Sequence, residues 1–337
     1  MESAKNMELP VSHLKQSGEE KNKVSTMTRK GIYTALSYMA AAVFLVMFNK
    51  AALSSYNFPF SNLITLCQMV CAFAILYVTK TLRIVSFTTN ESQNHSYNPA
   101  RFVSLSTLGH TLPLALIYML YMVVTMEAVR RVNVPMYTTL RRTTVAFTMI
   151  VEYYVSRQRH STFVVASVVI IIVGAFVAGA RDVAFDSYGY SVIFAENMCK
   201  AIYLASVGRV GKSSGLNIFG LIWCNVVICG PIVLLWSILR GDLQTTLNFP
   251  YLFNPGFQVV ILLSCLLTFF MNYIVVLNTI VNSALTQAIC GNLKDVFTSG
   301  IGWLLFKGLP YDLFNILGQS LGFLGSCLYA YCKIQGI

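Results

Sequence analysis

The chain has 337 residues, of which 56% are hydrophobic and only 11% charged, with a formal net charge of +11. A soluble domain has roughly one residue in four charged, so this composition, with a mean hydropathy of +0.64, excludes a soluble enzyme and points to a polytopic membrane protein. The positive charge implies no nucleic acid partner, because basic residues of a membrane protein gather in its cytosolic loops.

Spanning ~30 Å of hydrocarbon takes about 20 apolar residues per helix, and the sequence offers ten such stretches. Residues 1–30 precede them as a polar tail, expected to be cytosolic and disordered. The tail contains Glu2, Glu8, Glu19 and Glu20, so it lacks the acid-poor composition of an organelle transit peptide, and the first span must serve as insertion signal. That span, 31–53, carries Tyr38 and ends around Asn49-Lys50. The second is 60–79. Connection 80–105 is the longest and holds glycan acceptor patterns at Asn90 and Asn94. The third span, 106–126, contains Pro113, and the fourth, 134–155, contains the pair Arg141-Arg142. The fifth is 162–180, and the sixth, 188–208, contains Lys200 with Glu196 four residues before it. The seventh, 217–239, carries Trp223, Asn225 and Pro231, and the eighth, 256–277, carries Asn272 and Tyr273. The ninth, 282–305, is too polar for a lipid-facing helix. The tenth, 311–333, carries Gly318-x-x-x-Gly322 and Gly325, read as close helix packing within the chain or across a homodimer in preference to a ligand role. The nine cysteines show no metal or C-x-x-C spacing and read as small core residues.

With a cytosolic N-terminus, the tail, the even-numbered loops and the C-terminus hold fourteen Lys and Arg residues against six on the opposite side. The positive-inside rule therefore places both termini in the cytosol. Ten helices divide into halves, 31–180 and 188–333, each with an odd number of crossings. The second half then enters from the opposite face, giving an all-α membrane protein built as a 5+5 inverted repeat with its ligand between the halves. Arg141 and Arg142 on the fourth span and Lys294 on the ninth occupy corresponding members of the two halves.

A cation at bilayer depth costs at least ~2.5–3.5 kcal/mol, so Arg141, Arg142, Lys200 and Lys294 must face a polar interior and an anionic ligand. On the ninth span Gln287, Gly291, Lys294 and Thr298 share one helix face, which sets the ammonium beside a glycine gap. Asp295 is turned about 100° from Lys294 and is an awkward partner for it. The adjacent arginines cannot reach one spot. One is expected to meet the ligand and the other to close a salt bridge with Glu152, Glu196 or Asp295. A guanidinium fork suits a pyrophosphate, while lysine acts on it as a point charge. For Lys200, neutralisation by Glu196 at i−4 competes evenly with a site or gating role. Tyr38, Trp223, Asn225, Asn272 and Tyr273 are candidates to stack on and hydrogen-bond a planar base. The loop Gly208-Arg-Val-Gly211-Lys212-Ser213 lacks the phosphate-loop spacing, and His13, His95, His110 and His160 are scattered. Neither enzyme, metal site nor cofactor is expected.

Several runs carry a resemblance: Val134-Pro135-Met136-Tyr137-Thr138-Thr139-Leu140-Arg141-Arg142, Gly174-Ala175-Phe176-Val177-Ala178, Ala184-Phe185-Asp186-Ser187-Tyr188-Gly189-Tyr190 and Asn282-Ser283-Ala284-Leu285-Thr286. From about residue 31 onward the chain resembles the nucleotide-sugar transporters of the drug/metabolite transporter superfamily. It is closest to the D-type branch of solute carrier family thirty-five and to plant carriers of UDP-N-acetylglucosamine. The resemblance implies ten helices, a Golgi or endoplasmic-reticulum membrane, and exchange of cytosolic nucleotide sugar for lumenal nucleoside monophosphate. Fungal GDP-mannose transporters of this family use the motifs FYNN for the base and GALNK for sugar and phosphate. Here the first place reads Ile222-Trp223-Cys224-Asn225-Val226, and the second Gly291-Asn292-Leu293-Lys294-Asp295. The resemblance also implies that Gln287 and Tyr38 contact the sugar, with Tyr38 placed by the Asn49-Lys50 pair, and that Asn272 contacts the base. Both departures from the fungal motifs favour uridine.

The expectation is a UDP-sugar/UMP antiporter, for UDP-N-acetylglucosamine, with alternating access of two halves in a lipid bilayer. Its substrate residues are Tyr38, Lys50, Arg141, Arg142, Lys200, Asn225, Asn272, Gln287, Gly291, Asn292, Lys294 and Asp295. The rivals are a GDP-mannose/GMP antiporter, a plastid sugar-phosphate/phosphate exchanger and a non-transporting scaffold. A scaffold gains nothing from four intramembrane cations.

Overall fold

The computed structural model describes residues 27–50, 56, 61–88, 103, 105–132, 134–157, 160–179, 186–247, 249–306 and 313–336. Among these residues the chain is all helix, apart from one isolated bridge between Thr88 and Leu216. The helices are α1 (Arg29–Lys50), α2 (Ser61–Thr81), α3 (Leu105–Arg131), α4 (Val134–Arg141), α5 (Thr144–Ser156), α6 (Thr162–Gly179), α7 (Ser187–Ser213), α8 (Ile218–Leu239), α9 (Asp242–Leu247), α10 (Pro255–Val281), α11 (Ala284–Phe306) and α12 (Leu313–Gln335). Within the described residues each predicted span falls on helix to within a few residues at its edges, with two departures. The fourth span is broken into α4 and α5, and the unpredicted α9 is a short turn after the seventh.

The protein is a multi-pass membrane protein. Five of the described helices are long and apolar enough to cross a membrane by length and composition: α2, α3, α6, α8 and α10. Two of the others, α7 and α11, carry interior charges that lower their hydropathy. Glu196, Asn197 and Lys200 lie on α7, and Gln287, Asn292, Lys294 and Asp295 on α11.

Local signals set the helix ends. The Asp186 carboxylate accepts from the amides of Tyr188 and Gly189 at 3.1 Å each, an N-cap for α7. Asn254 accepts from the Gly256 amide at 2.9 Å, and Pro255 opens α10 where a missing amide costs nothing.

Packing joins α6 to α12, α3 to α7, α1 to α10, α5 to α7, α1 to α11, α2 to α8, α2 to α10 and α3 to α8. The glycine run of α12 makes the first of these seams. A Cβ added at Gly318 would stand 2.3 Å from the Gly174 carbonyl oxygen, and one at Gly174 would stand 2.7 Å from that of Gly318. Of the two packing alternatives, the run therefore serves contact within the chain, where backbones approach too closely for any side chain.

The described connecting residues meet at two ends of the bundle. At one end the Met27 amide donates to the Lys333 carbonyl at 2.9 Å and the Asn217 amide to that of Phe87 at 2.9 Å, and Asn282 donates to the Gly31 carbonyl at 3.1 Å. At the other, the Tyr56 ring packs edge-on against Tyr251 and Phe257, and Gly189 sits against Val132. Asn90 and Asn94 lie outside the described residues, as does the tail before residue 27.

All nine cysteines are free. Cys224, Cys229, Cys265, Cys290 and Cys332 are buried as expected of core residues, whereas Cys67 and Cys327 face outward.

Candidate functional site

The centre of the site is the break between α4 and α5. Here the backbone changes from i→i−4 to i→i−3 hydrogen bonds: Arg142 to Thr139 at 3.2 Å, Thr143 to Leu140 at 3.0 Å and Val145 to Arg142 at 3.3 Å. Inside a membrane the carbonyls that such a turn exposes must find protein donors. Asn197 of α7 donates to the Leu140 carbonyl at 3.1 Å and to the Thr143 hydroxyl at 2.9 Å. Asn292 of α11 donates to the Arg142 carbonyl at 3.1 Å. Thr144 closes the set by donating to the side chain of Asn197 at 2.6 Å. Two amides from the second half thus hold the arginine pair of the first.

The break lets the adjacent arginines diverge. Arg141 reaches Asp295 of α11 with its Nη2, 3.1 Å from Oδ2 and 3.4 Å from Oδ1, and its guanidinium lies 5.7 Å from the Tyr137 ring centroid. Arg142 turns away. It is 3% exposed, makes no salt bridge among the described residues, and lies against α12, where a Cβ added at Gly322 would stand 2.9 Å from its Nη1. Of the three candidate acids, Asp295 is the partner of Arg141. The Glu196 carboxylate accepts from the Tyr137 hydroxyl at 2.7 Å. Glu152 accepts from the Ala284 amide at the start of α11 at 3.1 Å and faces His160 at 3.7 Å. His160 is in the connection between α5 and α6, and burial, with Lys333 nearby, pushes its imidazole down to about 4, so it is uncharged at neutral pH.

One expectation about the lysines is corrected and one alternative is settled. Lys294 does pair with adjacent Asp295, Nζ to Oδ1 at 2.6 Å. The two side chains leave the helix in different directions, but a lysine stem is long enough to fold back, so direction at Cβ did not decide the contact. Of the two even readings of Lys200, neutralisation by Glu196 is not what the structure has: Lys200 makes no ion pair with Glu196 or any other described acid, and the Tyr137 hydroxyl bonds that carboxylate. Its ammonium instead lies within electrostatic reach of Arg141, Glu196, Asp295 and Lys294. Arg141, Lys200, Lys294 and Asp295 form one cluster, with the Tyr38 hydroxyl over the Gly291 gap, 3.6 Å from where a Cβ would stand.

Asn225 of α8 and Asn272 of α10 come together on the wall of a small cavity of about 80 Å³. Tyr118 and Tyr203 line the same space, with Gln68 and Thr268. Tyr203 packs on Tyr118 at 5.3 Å and lies parallel to Tyr121 at 6.4 Å, and Tyr121 feels the charges of Arg141 and Asp295. The tyrosines connect the amide-lined cavity to the cation cluster. Sequence reading missed them, although Tyr203 stands one turn beyond Lys200 and Tyr118 and Tyr121 are spaced i, i+3 on α3.

The other aromatic candidates belong to the core. Trp223 stacks on Phe73 at 4.9 Å and packs on Phe87 at 5.3 Å, while Tyr273 stacks on Phe219 at 5.0 Å. Gln287 sits in the seam of α1, α10 and α11, its Oε1 accepting from Asn278, which also receives bonds from Thr34 at 3.3 Å and Asn282 at 2.6 Å. Lys50 ends α1, and its side chain lies outside the described residues. Among the described residues no group of His, Cys, Asp and Glu is placed to hold a metal ion.

The model of the Triose-phosphate Transporter family matches residues 28–330. The chain is 56% identical to the UDP-N-acetylglucosamine transporter of Arabidopsis thaliana, over 97% of this chain and 98% of that protein. It is 30% identical to a UDP-sugar transporter of Caenorhabditis elegans, over 90% and 89%. A GDP-mannose transporter of Arabidopsis thaliana is 24% identical, over 95% and 94%. One solved crystal structure superposes with a TM-score of 0.62 at 10% identity, covering 91% of this chain and 98% of that one, a likeness of fold alone.

Proposed function

The chain belongs to the Triose-phosphate Transporter family, and within it we propose that this protein is an antiporter exchanging a UDP-sugar, UDP-N-acetylglucosamine, for UMP. It is a carrier and not an enzyme. The observation that carries the reading is the meeting of Arg141 and Lys294, from the two halves of the chain, at one point 3.1 Å and 2.6 Å from a single carboxylate. That point has the charge for a phosphate group shared by nucleotide sugar and nucleotide. Arg141, Lys294 and Lys200 are assigned to the phosphates, Asn225 and Asn272 with Tyr118 and Tyr203 to the base, and Tyr38 beside Gly291 to the sugar. Arg142, Asn292 and Gln287 act from behind, holding the α4–α5 break and the α11 start. The 56% identity to a UDP-N-acetylglucosamine carrier, against 24% to a GDP-mannose carrier, favours uridine over guanosine.

Ten crossings in two inverted halves fit the contacts. Exchanging α1 with α7, α2 with α8, α3 with α10, α5 with α11 and α6 with α12 turns the α1–α10 seam into α7–α3, α5–α7 into α11–α1 and α2–α10 into α8–α3, all of which occur. The halves 31–180 and 188–333 then rock about the central cluster. The shared end of Met27 and Lys333 suits an even number of crossings, and the charge bias places both termini in the cytosol of a Golgi or endoplasmic-reticulum membrane. Competition for uptake tests the reading: UMP must inhibit entry of labelled UDP-N-acetylglucosamine into proteoliposomes far better than GMP, and equal inhibition would move the assignment to a guanosine sugar.

A further inference from the structure

Asp295 was grouped with residues that contact substrate, yet its carboxylate is the one anion that both Arg141 and Lys294 already hold, at 3.1 Å and 2.6 Å. Arg141 comes from α4 and Asp295 from α11, so the carboxylate also ties one half of the chain to the other. The Lys294 and Asp295 side chains are 12% exposed and that of Arg141 is 22%, sequestered but within reach of an entering ligand. We infer that Asp295 is a built-in counter-anion that occupies the phosphate position of the empty carrier, competes with the ligand for it, and lets the unloaded carrier change sides.

The charge balance carries this. Arg141, Lys200 and Lys294 with Asp295 and Glu196 sum to one positive charge; without the Asp295 carboxylate they sum to two. A cavity holding two unpaired cations is costly to close in a dry interior, which would confine the carrier to strict exchange. With Asp295 in place, most of that cost is met from within the chain. A phosphate monoester brings about −1.5 to −2 charges and cannot share both cations with a carboxylate, so binding must release Asp295 from at least one of them. The inference rests on the antiporter reading, and the test separates the two.

Asp295→Asn removes the charge and keeps the shape. In purified protein it should tighten binding of UMP and of inorganic pyrophosphate by about tenfold, the value of one charge-assisted contact no longer contested. In proteoliposomes it should depress unidirectional efflux of loaded UMP into ligand-free buffer by about tenfold relative to exchange, and Asp295→Glu should restore part of that efflux. If Asp295→Asn is monodisperse only with an anion present, pyrophosphate must rescue it where chloride at equal ionic strength does not. Equal or weaker pyrophosphate binding by folded Asp295→Asn, an unchanged ratio of efflux to exchange, or no rescue by pyrophosphate would each overturn the counter-anion role. Wild-type protein that binds pyrophosphate but no uridine nucleotide would overturn the substrate reading and leave the role of Asp295 standing.

Discussion

Asn292 donates its side-chain amide to the main-chain carbonyl of Arg142 across 3.1 Å, so a residue of the second half completes the backbone of the first at the point where its helix breaks. With Asn197 doing the same for Leu140 at 3.1 Å, two amides fix the direction in which Arg141 leaves the chain. The cation proposed to bind phosphate is placed by a hydrogen-bonded break between α4 and α5, and the break is held by residues of α7 and α11.

The two amides should therefore matter for stability before they matter for affinity. Asn292→Leu and Asn197→Leu each take the side-chain donor from a buried carbonyl and leave it only its bonds within the turn, at a cost of about 0.5–1.5 kcal/mol per bond lost. Thermal unfolding in detergent should show a clear drop for both, with added UMP recovering only part of it. Wild-type unfolding temperatures for both variants would mean that the break is satisfied in another way.

Lys294→Ala should lose most transport while remaining folded, since a charge-assisted contact to phosphate is worth about 1.5–3 kcal/mol. Loss of UMP binding in a monodisperse variant checks this. Wild-type exchange by folded Lys294→Ala would remove the residue from the site.

The glycine seam makes a structural prediction independent of substrate. Gly318→Leu forces α12 away from the Gly174 carbonyl, now 2.3 Å from where its Cβ would stand. Overpacking of this kind costs roughly 1–3 kcal/mol, so the variant should unfold at lower temperature. At Gly322 a side chain meets Arg142 instead, 2.9 Å away, so Gly322→Val should add a loss of transport that Gly318→Leu does not explain through stability alone.

Base recognition should reside in Asn225 and Asn272, which share one cavity wall. Only hydrogen-bonding groups tell uracil edges from guanine edges. Asn225→Ala and Asn272→Ala should weaken competition by UMP without strengthening that by GMP, and Tyr203→Ala should weaken both by removing a stacking surface. Variants at both asparagines that keep the wild-type preference would put the base elsewhere.

Much of the arrangement was legible because bilayer physics is strict. Ten apolar runs fell on helix, and Arg141, Lys200 and Lys294 stood out because a cation in hydrocarbon demands an interior. What escaped was set by tertiary geometry. Nothing in the run Leu140-Arg141-Arg142-Thr143-Thr144 marks a helix break; it exists because Asn197 and Asn292, far along the chain, supply the donors. The Lys294–Asp295 contact escaped because Cβ directions do not limit a flexible stem. Trp223 looked like a base platform only until Phe73 and Phe87 were seen to occupy its faces. Tyr118, Tyr121 and Tyr203 were indistinguishable from ordinary membrane aromatics until they lined up between cavity and cations.

The most direct test of the account is exchange into proteoliposomes preloaded with either UMP or GMP and offered a panel of labelled nucleotide sugars. An antiporter of this specificity shows rapid uptake of UDP-N-acetylglucosamine against internal UMP, little against internal GMP, and little uptake of GDP-mannose in either case. Uptake of GDP-mannose driven by internal GMP, with UDP-sugars excluded, would contradict it.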